Sequence, residues 1–114
     1  FDTAGNYDNS SNYRFTPTTA GKYIVYALID HSWTGDWGSQ RHLRIKKNGS
    51  NIARNDHFDR TTANATYGSV FVSASCSMNG SSDYLEAFAY SDATGPVING
   101  GLDRTYFGAY KIIE

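Results

Sequence analysis

Charge, cysteine and long apolar runs are all scarce in this chain. Only 18% of its 114 residues are charged and the formal net charge is −1 at pH 7, so no positive field is available to hold a nucleic-acid backbone. The single cysteine, Cys76, excludes an intrachain disulfide. No apolar run approaches the roughly 20 residues of a membrane-spanning helix, so membrane insertion is not expected. A small domain without these supports must be stabilised by a good core or by oligomerisation.

Aromatic residues and glycine are abundant, with 9 Tyr, 6 Phe and 11 Gly. Aromatic residues favour strands and glycines favour turns, so this composition predicts an all-β domain. The length allows one hydrophobic core and not two, so residues 1–114 are expected to form a single domain. The chain opens with Phe1 rather than Met, inside a patterned segment, and we therefore expect it to be the C-terminal head of a longer protein.

Period-two patterns are separated by turn signals along most of the chain. They predict strands over residues 13–16, 22–30, 41–47, 50–55, 66–78, 83–91 and 105–113. The dipeptide Asn48-Gly49 predicts a tight hairpin between the third and fourth of these strands, with Leu43 and Ile45 pointing inward. Residues 31–40 and 56–64 are expected to be loops. Many short strands with regular turns are typical of an antiparallel sandwich of jelly-roll type.

Two of the predicted strands carry further information. The strand over 22–30 is apolar on both faces, which indicates that both faces are covered. The last strand, 105–113, is aromatic and β-branched, and we expect it in the middle of its sheet because a free hydrophobic strand invites aggregation. Gly108 interrupts it, which indicates that a bulky ring or another backbone approaches closely there.

Two separated segments resemble the C1q/TNF superfamily. Phe15-Thr16-Pro17 followed by Gly21-Lys22-Tyr23 is similar to the family signature that opens a central strand, and the aromatic–Phe–Gly–small–aromatic run at 106–110 is similar to its closing strand. The resemblance implies an antiparallel jelly-roll sandwich that forms a homotrimer. The chain departs from the family pattern in starting after the first family strand, in lacking a collagen tract, and in having Ser82 where a Gly is usual.

The resemblance also implies a trimer interface. Family members associate through the outer face of the inner sheet, which here contains the strands over 22–30, 66–78 and 105–113. If Tyr23 points into the sandwich, the interface residues are Ile24, Tyr26, Leu28, Phe71, and one of the two faces marked by Phe107 and Tyr110. The alternative is that these side chains pack under a loop.

Loops supply the candidate ligand-binding residues. Trp33, Asp36 and Trp37 lie in a glycine-rich polar segment, where exposed rings anchor proteins or stack on sugars; alternatively, one Trp plugs an end of the sandwich. His57 and Asp59 form a second candidate. Asp56 and Asp59 together are a weak candidate for calcium, since hard cations take carboxylate oxygens, although two loop acids are more often solvated. No cofactor is otherwise expected.

The sequence gives no sign of catalysis. The three histidines lack an HExxH pattern, and no G-x-S-x-G nucleophile elbow is present. The low charge and the Asn, Ser, Thr, Gly and Tyr content are similar to the C1q-like heads of bacteriophage tail fibres and other virion proteins. We therefore expect a non-enzymatic, extracellular adhesion head that binds a host receptor or carbohydrate. A secreted C1q-like lectin or cytokine-like protein, and a purely structural trimerisation knob, remain as alternatives.

Overall fold

The computed structural model describes residues 2–34, 38–58 and 67–112, and the regular structure within these ranges is entirely β-strand. The strands are β1 (Tyr7–Asp8), β2 (Arg14–Phe15), β3 (Gly21–Ser32), β4 (Gln40–Lys47), β5 (Ser50–Phe58), β6 (Tyr67–Met78), β7 (Leu85–Ser91), β8 (Val97–Ile98) and β9 (Tyr106–Lys111). The predicted all-β class is therefore confirmed. No helix in the described ranges is long and apolar enough to cross a membrane.

The strands form two antiparallel sheets. One has five strands in the order β1-β2-β7-β4-β5, and the other has β3 between β6 on one side and β8 and β9 on the other. Every pairing between neighbouring strands is antiparallel. The strand β3 is thus the centre of the four-stranded sheet, as its apolar character on both faces requires.

Both sheets contribute to one hydrophobic core. Val25 of β3, Leu43 and Ile45 of β4, and Leu85 of β7 are completely buried, and they pack with Val70 and other residues of β6. Leu43 and Ile45 point inward as predicted. Alternate residues of β6 contribute to the core while those between them are exposed, which is the pattern of a strand with one buried face. This arrangement is compatible with a β-sandwich.

The predicted Asn48-Gly49 hairpin is confirmed and its second strand is longer than predicted. Asn48 and Gly49 both have positive φ angles, 50° and 82°, as a tight hairpin turn requires. Because Asp56 pairs with His42 across the sheet, β5 continues to Phe58 and residues 56–58 are not a loop. In the same way β3 continues through His31 and Ser32, which pair with residues of both β6 and β8.

The closing strand β9 lies at a different position in its sheet from the one predicted. It pairs with β3 from Tyr106 to Lys111, and within the described ranges no strand pairs with its other edge. The central position belongs to β3 instead. The prediction about Gly108 is confirmed: a Cβ placed there would lie 2.5 Å from the Oη atom and 2.6 Å from the Cζ atom of Tyr26. The ring of Tyr26 occupies the space above Gly108.

Candidate binding surfaces

Large apolar side chains gather on the outer face of the four-stranded sheet. We call this surface the tyrosine face, and it consists of Ile24, Tyr26, Leu28, Phe71, Tyr106 and Tyr110. The ring of Tyr26 lies at its centre, 5.9 Å from the Tyr106 ring and 6.4 Å from the Tyr110 ring. Phe71, Tyr106 and Tyr110 are all exposed. The described chain therefore leaves a contiguous aromatic surface open to solvent.

The sheet register decides which of Phe107 and Tyr110 belongs to this surface. Tyr110 pairs with Ile24 and shares its outward face, whereas Phe107 pairs with Ala27 and packs against the core. Phe107 is therefore an inner-face residue, in contact with Tyr7 at a ring distance of 5.9 Å. Tyr106 takes its place on the outer face. The alternation of Tyr106, Gly108 and Tyr110 in the sequence already places these three residues on one face of the strand.

Trp33 is part of the core and not an exposed recognition residue. It is 5% exposed, its ring lies 5.4 Å from that of His31, and the guanidinium of Arg41 lies 5.1 Å from its ring centroid. The alternative prediction, a Trp that plugs one end of the sandwich, describes this placement. Asp36, Trp37 and Asp59 lie outside the described residues. His57 belongs to β5, opposite Arg41, and not to a loop.

His31 is the least exposed of the residues around Trp33. It is 2% exposed, and neither of its ring nitrogens has a hydrogen-bond partner in the described part of the chain. Burial lowers the pKa of His31, the nearby Arg41 and His57 lower it further, and Asp30 opposes them. A proton on this imidazole would place a second positive charge beside Arg41 in a dry environment.

Acidification is expected to destabilise the protein through His31. The pKa of His31 in the folded chain lies below its unfolded value of about 6.5. At pH values near and below 6.5 the unfolded chain therefore binds more protons than the folded chain, and stability rises with pH. Denaturant unfolding should show that the free energy of unfolding decreases as the pH is lowered from about 7.5 to about 5.5. His31→Leu should flatten this dependence. An unchanged pH dependence in His31→Leu would assign the effect to other groups.

The acidic residue Asp56 is in contact with basic side chains of its own sheet. Its carboxylate lies 2.9 Å from Nδ1 of His42, 3.7 Å from Nη2 of Arg44 and 3.5 Å from Nε of Arg54. In the described ranges no three His, Cys, Asp or Glu side chains come together in a group that could hold a metal ion. Asp56 therefore acts as the counter-charge of a basic cluster.

A shallow groove of about 380 Å³ lies on the outer face of the five-stranded sheet, between β4 and β7. It is lined by Gln40, His42, Arg44, Lys46, Phe88, Ala89 and Tyr90. This site was not predicted from the sequence, although the inward positions predicted for Leu43 and Ile45 already place their neighbours on the outer face. What it did not give was the pairing of β4 with β7, which brings Phe88 opposite Arg44.

The groove combines exposed rings with cationic nitrogens. The Lys46 ammonium lies 4.1 Å from the centroid of the Phe88 ring, and the His42 and Tyr90 rings are stacked at 5.4 Å. His42 is further fixed by Asp56 on one side and by Gln40, whose Oε1 lies 3.3 Å from its Nε2. Aromatic rings and a few well-placed polar groups are typical of small-molecule sites.

Comparisons with known proteins give no family for this chain. No family model matches it, and no curated protein matches it either. Its function is therefore inferred from its two outer surfaces, the tyrosine face on the four-stranded sheet and the groove on the five-stranded sheet.

Proposed function

We propose that the chain is a non-enzymatic, homotrimeric recognition domain of C1q/TNF type, which binds a receptor or glycan on a cell surface. In this proposal it belongs to a virion or another extracellular structure. The single observation that carries the proposal is the tyrosine face. Its members are large and apolar, they adjoin one another across three strands, and several of them are exposed in one copy of the chain.

The composition of the tyrosine face supports burial against further copies of the chain. Aromatic residues are enriched at interface cores because they bury a large area and the tyrosine hydroxyl still finds a polar partner. Isolated exposed apolar residues need no explanation, but a contiguous patch usually marks an interaction site. In an oligomer with closed symmetry every copy buries this patch, and the C1q/TNF resemblance favours a threefold axis.

The connections between strands support the jelly-roll topology. Counting along the chain, β1, β2, β4, β5 and β7 belong to the five-stranded sheet, whereas β3, β6, β8 and β9 belong to the other. The chain thus crosses from one sheet to the other at most of its connections. Such alternation is expected when two Greek keys build a double-sheet jelly roll.

Trimerisation would leave the five-stranded sheet facing outward, with three copies of its groove on one rigid body. Three weak sites that engage a surface together gain avidity without any single tight contact, because the second and third binding events are intramolecular. Recognition of a repetitive surface such as a glycan layer fits this arrangement.

Native mass measured by light scattering at low micromolar concentration tests the proposal. We expect three times the chain mass of 12.6 kDa. A stable monomer across the concentration range would contradict both the interface and the avidity mechanism. A dimer would retain the tyrosine face as an interface and contradict the threefold assembly.

A further inference from the structure

We propose that the groove between β4 and β7 binds an acidic saccharide, with the sugar ring against Phe88 and its carboxylate beside Arg44 and Lys46. This inference rests on the proposed recognition function and names its ligand class. It follows from three features of the described residues: exposed aromatic rings, more cations than carboxylates in contact with them, and a small open volume.

The aromatic part of the groove offers a surface for the apolar face of a sugar. Phe88 and Tyr90 are adjacent outward positions of β7 and remain 45% and 54% exposed. The two rings are held in place from β4, because Lys46 lies over Phe88 and His42 stacks on Tyr90. Rings fixed in this way lose little conformational entropy when a ligand covers them.

The charge balance in the groove favours an anion. Glu86 lies opposite Lys46 in the register of β4 and β7, but within the described part of the chain Lys46 forms no ion pair. The contact of Arg44 with Asp56 is long, at 3.7 Å. The Nε atom of Arg44 is buried without a hydrogen-bond partner in the same ranges. Two cations, Arg44 and Arg54, therefore share the single carboxylate of Asp56. A second carboxylate would complete this set.

The size and setting of the groove favour a saccharide over a larger polyanion. Its volume of about 380 Å³ lies near the lower end of the roughly 300–1,000 Å³ of small-molecule sites, so it suits one or two rings. The formal net charge of −1 gives no extended basic stripe for a nucleic acid. The open face of the sheet allows a longer glycan to continue beyond the groove.

The test is a titration of the full chain with 3′-sialyllactose, followed by amide NMR. Lactose serves as the matched neutral probe, because it differs only in the absence of the acidic ring. We expect shifts confined to residues of β4 and β7, and affinity for lactose at least about 10-fold weaker, since charge-assisted contacts are worth about 1.5–3 kcal/mol. Acetate at equal concentration should produce no comparable shifts.

Matched variants locate the contact. Lys46→Gln and Arg44→Gln should each weaken binding roughly 5-fold, as loss of a partly solvated charge contact predicts. Lys111→Gln and Arg104→Gln make the same chemical changes on exposed residues away from the groove and should leave affinity unchanged. Phe88→Ala should abolish the response, with the folded spectrum elsewhere intact.

Several outcomes would overturn the inference. Equal affinity for lactose and sialyllactose would show that the cations do not contribute to binding. Equal shifts with acetate would show that the groove binds anions in general and not saccharides. Binding of a poly-glutamate peptide in place of the saccharide would make it a protein-docking surface. Because both saccharides are monovalent, the titration succeeds or fails independently of whether the chain is a trimer.

Discussion

Ile24→Lys is expected to convert the proposed trimer into folded monomers. Ile24 lies on the tyrosine face between Tyr110 of β9 and Ser75 of β6. In a trimer each copy would bury one unpaired ammonium, at a cost of several kcal/mol per charge, which corresponds to a loss of assembly affinity of roughly 1,000-fold or more. Light scattering should then give the mass of one chain, while circular dichroism retains the β signal.

Ile52→Lys is the matched control for this substitution. Ile52 is a strand residue of the five-stranded sheet, 36% exposed and away from the tyrosine face. The Ile52→Lys variant should have the same native mass as the unmodified chain. If Ile24→Lys unfolds the chain, Tyr110→Lys is tested in its place. Tyr110 is 55% exposed, so a lysine there should destabilise the folded monomer less. A folded, trimeric Tyr110→Lys variant would show that the interface lies elsewhere.

Gly80→Ala is expected to lower the free energy of unfolding by about 3 kcal/mol or more. Gly80 has a φ angle of 71°, and a Cβ there would come within 2.5 Å of the backbone carbon of Thr19 and closer still to the amide nitrogen of Ala20. Backbone atoms cannot rotate away as a side chain can. The substitution therefore pushes apart the β6–β7 turn and the segment that leads into β3.

Gly49→Ala separates the backbone strain of a positive φ angle from the steric clash with neighbouring backbone. Gly49 also has a positive φ angle, 82°, but a Cβ there would meet no atom within 4 Å. It should therefore cost only the left-handed backbone strain, about 1–2 kcal/mol. Urea unfolding of the two variants gives the comparison directly. Equal losses would mean that the chain around Thr19 and Ala20 moves aside without cost.

Most of the long strands, and the inward or outward face of many of their residues, were readable from the sequence because they depend on period-two alternation. The inward positions of Leu43 and Ile45 and the ring contact at Gly108 followed from that pattern. The alternation also fixed the grouping of Ile24, Tyr26 and Leu28 on one face. Whether that face is a trimer interface stays a prediction.

The remaining features depend on contacts between segments distant in sequence. Trp33 was predicted to be a loop residue because Gly35 and Gly38 follow it. In the structure β3 extends through Ser32, and the Trp33 ring is buried at the end of the core. The groove was equally hidden. Its cations come from β4 and its rings from β7, about 45 positions later, and only the strand register brings Arg44 opposite Phe88.

The contact between Tyr26 and Gly108 also bears on how the sheet opens. The ring covers the backbone of β9 at its midpoint, with the Tyr106 and Tyr110 rings near it. We expect opening that begins at Lys111 to slow at Gly108, because separating the strands there also removes the contact with the ring. We therefore expect amide hydrogen exchange in β9 to be faster near Lys111 than at Gly108, although β9 has only one pairing partner in the described structure.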